Sequence, residues 1–314
     1  MQKLVTKVMK FKIIPIFIRT TINIMKLIVV YFISLLPVFS QKKLSGQVIS
    51  QQKGVSIPFA IITDEHRKWG ISSNENGQFI IENSNLGDTL FVSCLGFFDT
   101  RLPVSQWKEP MKIILQEKPI NLPEIIVENN RKKHQLWLGS KQETTTLVTG
   151  QFTYATIQEM ALLVPNYTQS EGFIQKVGYW IGGVGKHKTP FRIRIYKNEK
   201  GMPGDDLLQE NLVVHARSRK SWFDVDISKY NISIPENGFF VAMEWINSNN
   251  PKYGYDVIWP NKKVITYYGQ NIGKTLEFNE YLGRIRNNGG QWRIDNKDTI
   301  FKNPMIRVQI QIYE

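Results

Sequence analysis

SGQVISQQKGVSIPFAIITDEHRKWGISSNENGQFIIENSNLGDTLFVSCLGFFDTRLPVSQ, residues 45–106, decides how the chain is read. Short apolar runs alternate with turn clusters: Pro58 to Ile62, Gln78 to Ile81, Asp88 to Cys94 and, just beyond, Met111 to Leu115. Asn76-Gly77 lies ahead of the second run, and Asn-Gly between two such runs predicts a hairpin because both residues tolerate positive φ. Four or more short strands with no long amphipathic helix predict a small β-sandwich.

Outward from that stretch, the second half is patterned more strongly still. Ile174, Val177, Tyr179 and Ile181, then Phe191, Ile193 and Ile195, alternate at a period of two. Further strands are expected at Leu212–Val214, Trp222–Ile227, Gly238–Trp245, Val264–Tyr268 and Met305–Tyr313. Lys197–Asp206, rich in Gly, Pro and Asp, reads as a turn. Thr144 to Thr149 favours strand, whereas Ala155–Leu163 reads as one or two helical turns. The expected fold is all-β, a small Ig/transthyretin-like sandwich followed by a larger jelly-roll-like one.

The first stretch also resembles a known family, the carboxypeptidase-regulatory-like domain of secreted and outer-membrane proteins in Bacteroidetes-type bacteria. The residues carrying the resemblance are Gly46-Gln47-Val48, Ile57-Pro58-Phe59-Ala60, Ser73 to Phe79, Asp88-Thr89-Leu90, Leu95-Gly96-Phe97 and Leu122 to Val127. Position 94, usually aromatic in that family, is Cys here. The resemblance implies a transthyretin-like or Ig-like accessory module without peptidase chemistry. Leu122–Val127 is similar to a segment that precedes the plug and barrel of TonB-dependent transporters. The remaining chain is too short for such a barrel, so the segment reads as an edge strand. More loosely, FRIRIY, GMPGDDLL and NPMIRVQI resemble a C-terminal module paired with this domain, and carbohydrate-binding or adhesin-type jelly rolls.

Residues 1–40 hold six Lys or Arg and no acid, and end in an apolar run from Leu27 to Phe39. That run is short of the roughly twenty residues a membrane span needs. Basic residues, a short apolar core and small residues read as a secretory signal, cut between Ser40 and Gln41. Met25-Lys26 would open a signal of ordinary length. The rival reading, an uncleaved anchor that also uses Ile13–Ile18, is broken by Arg19, Asn23 and Lys26. The membrane therefore enters only through this segment before cleavage. Beyond it the expected order is a sandwich over 41–117, an edge segment and linker over 118–150, and the larger sandwich over 151–314. The expected location is exported: periplasm, outer-membrane surface or secreted.

The formal net charge is +13, of which the leader supplies six. A basic balance suits nucleic acid or anionic surfaces, but the cations are scattered and an exported chain rarely meets nucleic acid. Arg192 and Arg194 fall on the polar side of their strand and read as a solvated face. Cys94 is the only cysteine, which excludes an intramolecular disulfide. Two residues after Val92, it reads as a small core residue.

Catalytic signatures are absent from the sequence. No His is followed three residues later by Glu, and no HExxH or GxSxG occurs. Gly182-Gly183-Val184-Gly185 lacks the ending of a phosphate loop and reads as a flexible turn. Asp205-Asp206 falls short of the oxygen set calcium needs, so no metal or cofactor is expected. The Asn247–Trp292 stretch holds the candidate binding residues, Tyr253, Tyr255 and Trp259, with Tyr267, Tyr268, Tyr281 and Trp292 nearby. Aromatics on sandwich loops offer flat apolar faces to sugars or peptides. The expectation is a non-enzymatic envelope protein binding a glycan or envelope protein through these loops. The alternatives are a structural assembly component working through sheet edges, and a hydrolase using Asp224, Asp226 or Glu244.

Overall fold

Along Leu44–Ser50 every second residue turns inward, which commits one face of this strand to a core. The computed structural model describes residues 43–81, 87–108, 110–119, 132–151, 156–167, 169, 171–248, 250–277, 282–295 and 303–313. Seven strands form the first sandwich: β1 (Leu44–Ser50), β2 (Ile61–Asp64), β3 (Gly70–Ser72), β4 (Gln78–Ile81), β5 (Thr89–Ser93), β6 (Thr100–Pro103) and β7 (Met111–Leu115). They make two sheets, β4-β1-β7 and β3-β2-β5-β6, with β1 and β7 parallel. Val48, Ile62, Trp69, Phe79, Leu90, Val92 and Ile113 fill the space between them, and Cys94 is buried among them as expected.

Asn76-Gly77 does not close a hairpin. The strands on either side, β3 and β4, lie in different sheets, and β4 pairs with β1 instead. The turn is organised by Asn74, whose Oδ1 accepts from the N–H groups of Asn76 and Gln78, both at 2.9 Å. Gly77 has a φ of 71°, and a side chain there would meet the Val48 oxygen at 2.8 Å. The local turn chemistry was legible, but the partner of the following strand is set by long-range packing.

The second sandwich begins earlier than the strong alternation suggests. Its strands are β8 (Lys133–Gly139), β9 (Val148–Gln151), β10 (Gln158–Val164), β11 (Gly172–Gly185), β12 (Pro190–Glu199), β13 (Met202–Asp206), β14 (Val213–His215) and β15 (Ser221–Asp226). They continue with β16 (Phe239–Trp245), β17 (Gly254–Ile258), β18 (Val264–Thr275), β19 (Gly283–Asn287), β20 (Arg293–Ile294), β21 (Asn303–Pro304) and β22 (Ile306–Tyr313). One sheet runs β13-β12-β16-β10-β19-β20, with β14 also on β12. The other runs β17-β18-β11-β22-β8, with β15 on β11 and β9 and β21 on β18. Tyr179, Phe191, Trp245, Ile306 and Val308 are among the side chains packed between them.

Three expectations are corrected here. Gln158–Val164, read as helical, is a strand held between β16 and β19, where almost every side chain is buried on one face or the other. Such an apolar run has no periodicity to distinguish helix from strand. Met202–Asp206, read as turn, is an edge strand whose Pro203 fits that position. Gly182 to Gly185 end β11 rather than forming a loop; a side chain at Gly182 would press on Asn271 and Val148 at 3.0 Å.

Lys43–Glu314 is one compact unit. The first sandwich lies against the seven-stranded sheet of the second. Ser72 N–H donates to the Asn247 oxygen at 2.6 Å, and Asn211 Nδ2 to the Pro58 oxygen at 3.1 Å. Arg67 and Asn288 exchange two bonds of 2.9 Å.

Candidate functional site

Strand register places four charges in one row across the seven-stranded sheet. Arg192 pairs with Glu244, Glu244 with Glu159, and Glu159 with Arg286. Glu244 accepts from Arg192 and from Arg194 Nη1 at 2.7 Å; Arg194 also grips Asp206 in two bonds, of 2.9 and 2.6 Å. Arg286 holds both oxygens of Glu159, at 2.7 and 3.0 Å, and the Tyr196 hydroxyl also donates to Glu159. Burial pushes the Glu159 carboxyl up, but the guanidiniums of Arg286 and Arg194 outweigh it and hold the group below the usual carboxylate range. With Arg194 and Asp206 the network counts three cations and three carboxylates, which balance.

This corrects the reading of Arg192 and Arg194 as a solvated face. Arg192 is completely buried, and its second terminal nitrogen donates to the main-chain oxygen of Phe59. The alternation was real, but the polar face is roofed by the first sandwich. A clue lay in Glu159 and Glu244, single acids inside the apolar runs QEMALLV and FFVAMEW. A cavity of about 780 Å³ opens beside the row, lined by Lys118 and Leu95 of the first sandwich and by Arg194, Tyr196 and Arg286. Its two guanidiniums are already paired with carboxylates.

The three candidate aromatics do not share one open platform. Tyr253 packs edge-on to Tyr268 at 6.1 Å, in a small recess also lined by Phe59 and Asn74 of the first sandwich. Tyr255 stacks on Tyr267 at 5.7 Å and donates to Asn271 Oδ1 at 2.7 Å. Burial pushes its phenol up to about 12. Trp259 stands apart at the tip of the β17–β18 hairpin. Trp259 N–H donates to the Lys263 oxygen at 2.9 Å and Lys262 N–H to the Trp259 oxygen at 2.8 Å, closing the tip. Ile258, Trp259 and Val264 are 73, 47 and 55% exposed there. Ile258 and Val264 escaped the sequence reading because strand residues of their kind normally face a core. Tyr281, Ser40, Gln41 and Leu122–Val127 lie outside the described residues.

The remaining carboxylates do not converge. Asp224 sits on the outer face of the eight-stranded sheet in a two-bond pair with Arg307, at 3.0 and 2.6 Å. Asp226 accepts from Ser228 N–H and hydroxyl at 2.9 and 2.6 Å. Glu244 belongs to the other sheet. Asp206 is held by Arg194, which leaves Asp205 without its neighbour as a calcium ligand. Among the described residues no group of three or more His, Cys, Asp or Glu is placed to hold a metal. No helix of the described residues is long and apolar enough to cross a membrane.

Comparison with known proteins returns one family match, to the CarboxypepD_reg-like domain over residues 44–127. No curated protein matches the chain. Among solved structures, the chain is similar to the cysteine protease and lectin-like domains of Cwp84, a surface layer associated protein of Clostridium difficile. That likeness has 14% identity and a TM-score of 0.34, and covers 57% of this chain and 36% of that one. A form of Cwp84 after propeptide cleavage gives 13% identity and a TM-score of 0.35, covering 57 and 40%. BcpA, the major pilin subunit of Bacillus cereus, gives 10% identity and a TM-score of 0.16, covering 74 and 68%. This chain thus spans well under half of the Cwp84 chains, and none of these likenesses carries an argument about function. The two-sheet architecture of the described residues up to Pro119 agrees with the match of residues 44–127 to the CarboxypepD_reg-like domain.

Proposed function

We propose that the chain is an exported, non-enzymatic accessory protein of the cell envelope that attaches to an envelope component through the loop end of its second sandwich. The observation that supports this reading is the hairpin tip, where Ile258, Trp259 and Val264 expose apolar surface together. Scattered apolar residues need no explanation, but three on one projecting turn mark a contact surface. The carboxylates available for hydrolysis are spread over two sheets and bound to cations or turn donors, which favours binding over catalysis. Glycans and envelope proteins are the ligand classes to test first, by equilibrium binding of purified residues 43–314 to arrays of both. Binding lost in Trp259→Ala, with Tyr255→Ala as a second variant, supports the reading; binding unchanged by either moves the site elsewhere.

A second reading, a structural assembly component, is favoured by β8. It is the outermost strand of its sheet, with Leu136 and Trp137 exposed. An edge strand can accept a further strand.

A further inference from the structure

Strand register puts three turns at the same end of the second sandwich: 185–190 between β11 and β12, 215–221 between β14 and β15, and 258–264 at the hairpin tip, which reaches past the end of β11. Their sequences are GKHKTP, HARSRKS and IWPNKKV, with no Asp or Glu among them. The first contributes Lys186 and Lys188, the second Arg217, Arg219 and Lys220. Lys262 and Lys263 complete seven cations, every one exposed.

The first two turns touch each other, and the first also touches the strands β17 and β18 that carry the tip. His215 Nδ1 lies 3.0 Å from the Lys188 oxygen, and Lys186 N–H donates to the Gly269 oxygen of β18 at 2.9 Å. The Lys220 side chain lies over Gly183, and the Tyr255 hydroxyl lies 3.1 Å from where a Gly185 side chain would begin. Burial and the charges of Arg219 and Lys188 hold His187 below its usual value. Val184, beside the first turn, is half exposed. The opposite end is mixed, with Glu199 beside Lys200 and Glu236 in the same loop as Lys229. The carboxylate nearest the basic end along the hairpin, Asp256, accepts from the Thr266 hydroxyl at 2.7 Å. Glu75 of the first sandwich acts on Lys252 at the hairpin's foot.

We propose that this end of the second sandwich docks on an anionic lipid bilayer, with Ile258 and Trp259 in the interface and the basic turns against the phosphates. The proposal rests on the reading of the tip as a contact surface and names its partner. Shape and chemistry both favour a bilayer over a soluble ligand. Pockets for small ligands are concave, whereas the tip is a projecting turn. A soluble polyanion would use the cations and leave Ile258, Trp259 and Val264 in water. Trp belongs at the depth of the headgroups, and lysines near an anionic surface add attraction that falls off within a Debye length.

Residues 43–314 contain both cores and every described strand, so this unit is the one to test, free of the apolar leader. It is sedimented with phosphatidylcholine vesicles containing or lacking phosphatidylglycerol, at low and high salt, and titrated separately with soluble heparin. Saturable binding to the anionic vesicles alone, weakened by salt, is expected. Lys262→Gln and Lys263→Gln should each weaken it roughly fivefold, and Ile258→Ser with Trp259→Ser should abolish it while the thermal midpoint stays put. No binding to anionic vesicles overturns the proposal, as does equal binding to neutral ones. Heparin binding as tight as vesicle binding and indifferent to Trp259→Ser also overturns it. If the vesicles fail while the arrays still report Trp259-dependent binding, the lipid assignment falls and the contact surface stands. If neither assay responds to the tip variants, both fall.

Discussion

Arg192 of the second sandwich donates a hydrogen bond to the main-chain oxygen of Phe59 in the first, and Phe59 holds a left-handed φ of 59°. A bulky residue seldom adopts that conformation without something to hold it there. Here the bond from Arg192 and the neighbouring Asn211–Pro58 bond hold the Pro58-Phe59 carbonyls against the seven-stranded sheet. The same guanidinium meets Glu244, so one side chain ties the sandwich interface to the buried charge row.

Replacing Arg192 by Ala leaves Glu244 buried with Arg194 as its remaining cation. Removing one partner of a buried ion pair typically costs about 3–5 kcal/mol. Urea unfolding of residues 43–314 should show a loss of that order.

Acid should loosen the charge row. The folded Glu159 carboxyl is held below its usual value of 4.5, so its contribution is fully present above that pH and is lost as the pH falls through the folded value. Stability measured from pH 7 downward should begin to decline near pH 4.5, and Glu159→Gln should flatten that decline.

Gly77 tests the inter-sheet turn. Its positive φ and the closeness of the Val48 oxygen mean that Gly77→Ala should destabilise by more than about 1 kcal/mol. Chemical denaturation reads the change directly.

Cys94 should be inert in the folded chain. Burial pushes its thiol up, against the opposing charges of Arg192 and Arg194, and only the thiolate reacts quickly. Labelling with an aromatic disulfide should follow the rate of unfolding; prompt labelling at neutral pH would show the core to be open.

Much of this was readable in the residues. Period-two alternation located β11, β12, β15 and β22 to within a few positions, because in each apolar core-facing residues alternate with polar ones. Where both faces are covered the signal fails: Gln158–Val164 carries no alternation, and Arg192 mimics a surface residue although a second sandwich lies over it. Edge strands such as Met202–Asp206 are disguised by Pro and Gly that an edge tolerates. Trp259 was recognisable as a candidate from its loop composition. The company it keeps was not, since Lys186, Arg219 and Lys262 are far apart in sequence and only strand pairing puts their turns at the same end.

Hydrogen-exchange footprinting of residues 43–314, with and without a purified envelope membrane fraction, tests the central claim most directly. The account predicts slowed exchange in the turns 185–190, 215–221 and 258–264, with the rest of the unit unchanged. Protection confined to β8 would instead place the contact at the sheet edge, and no protection anywhere would contradict attachment to the envelope.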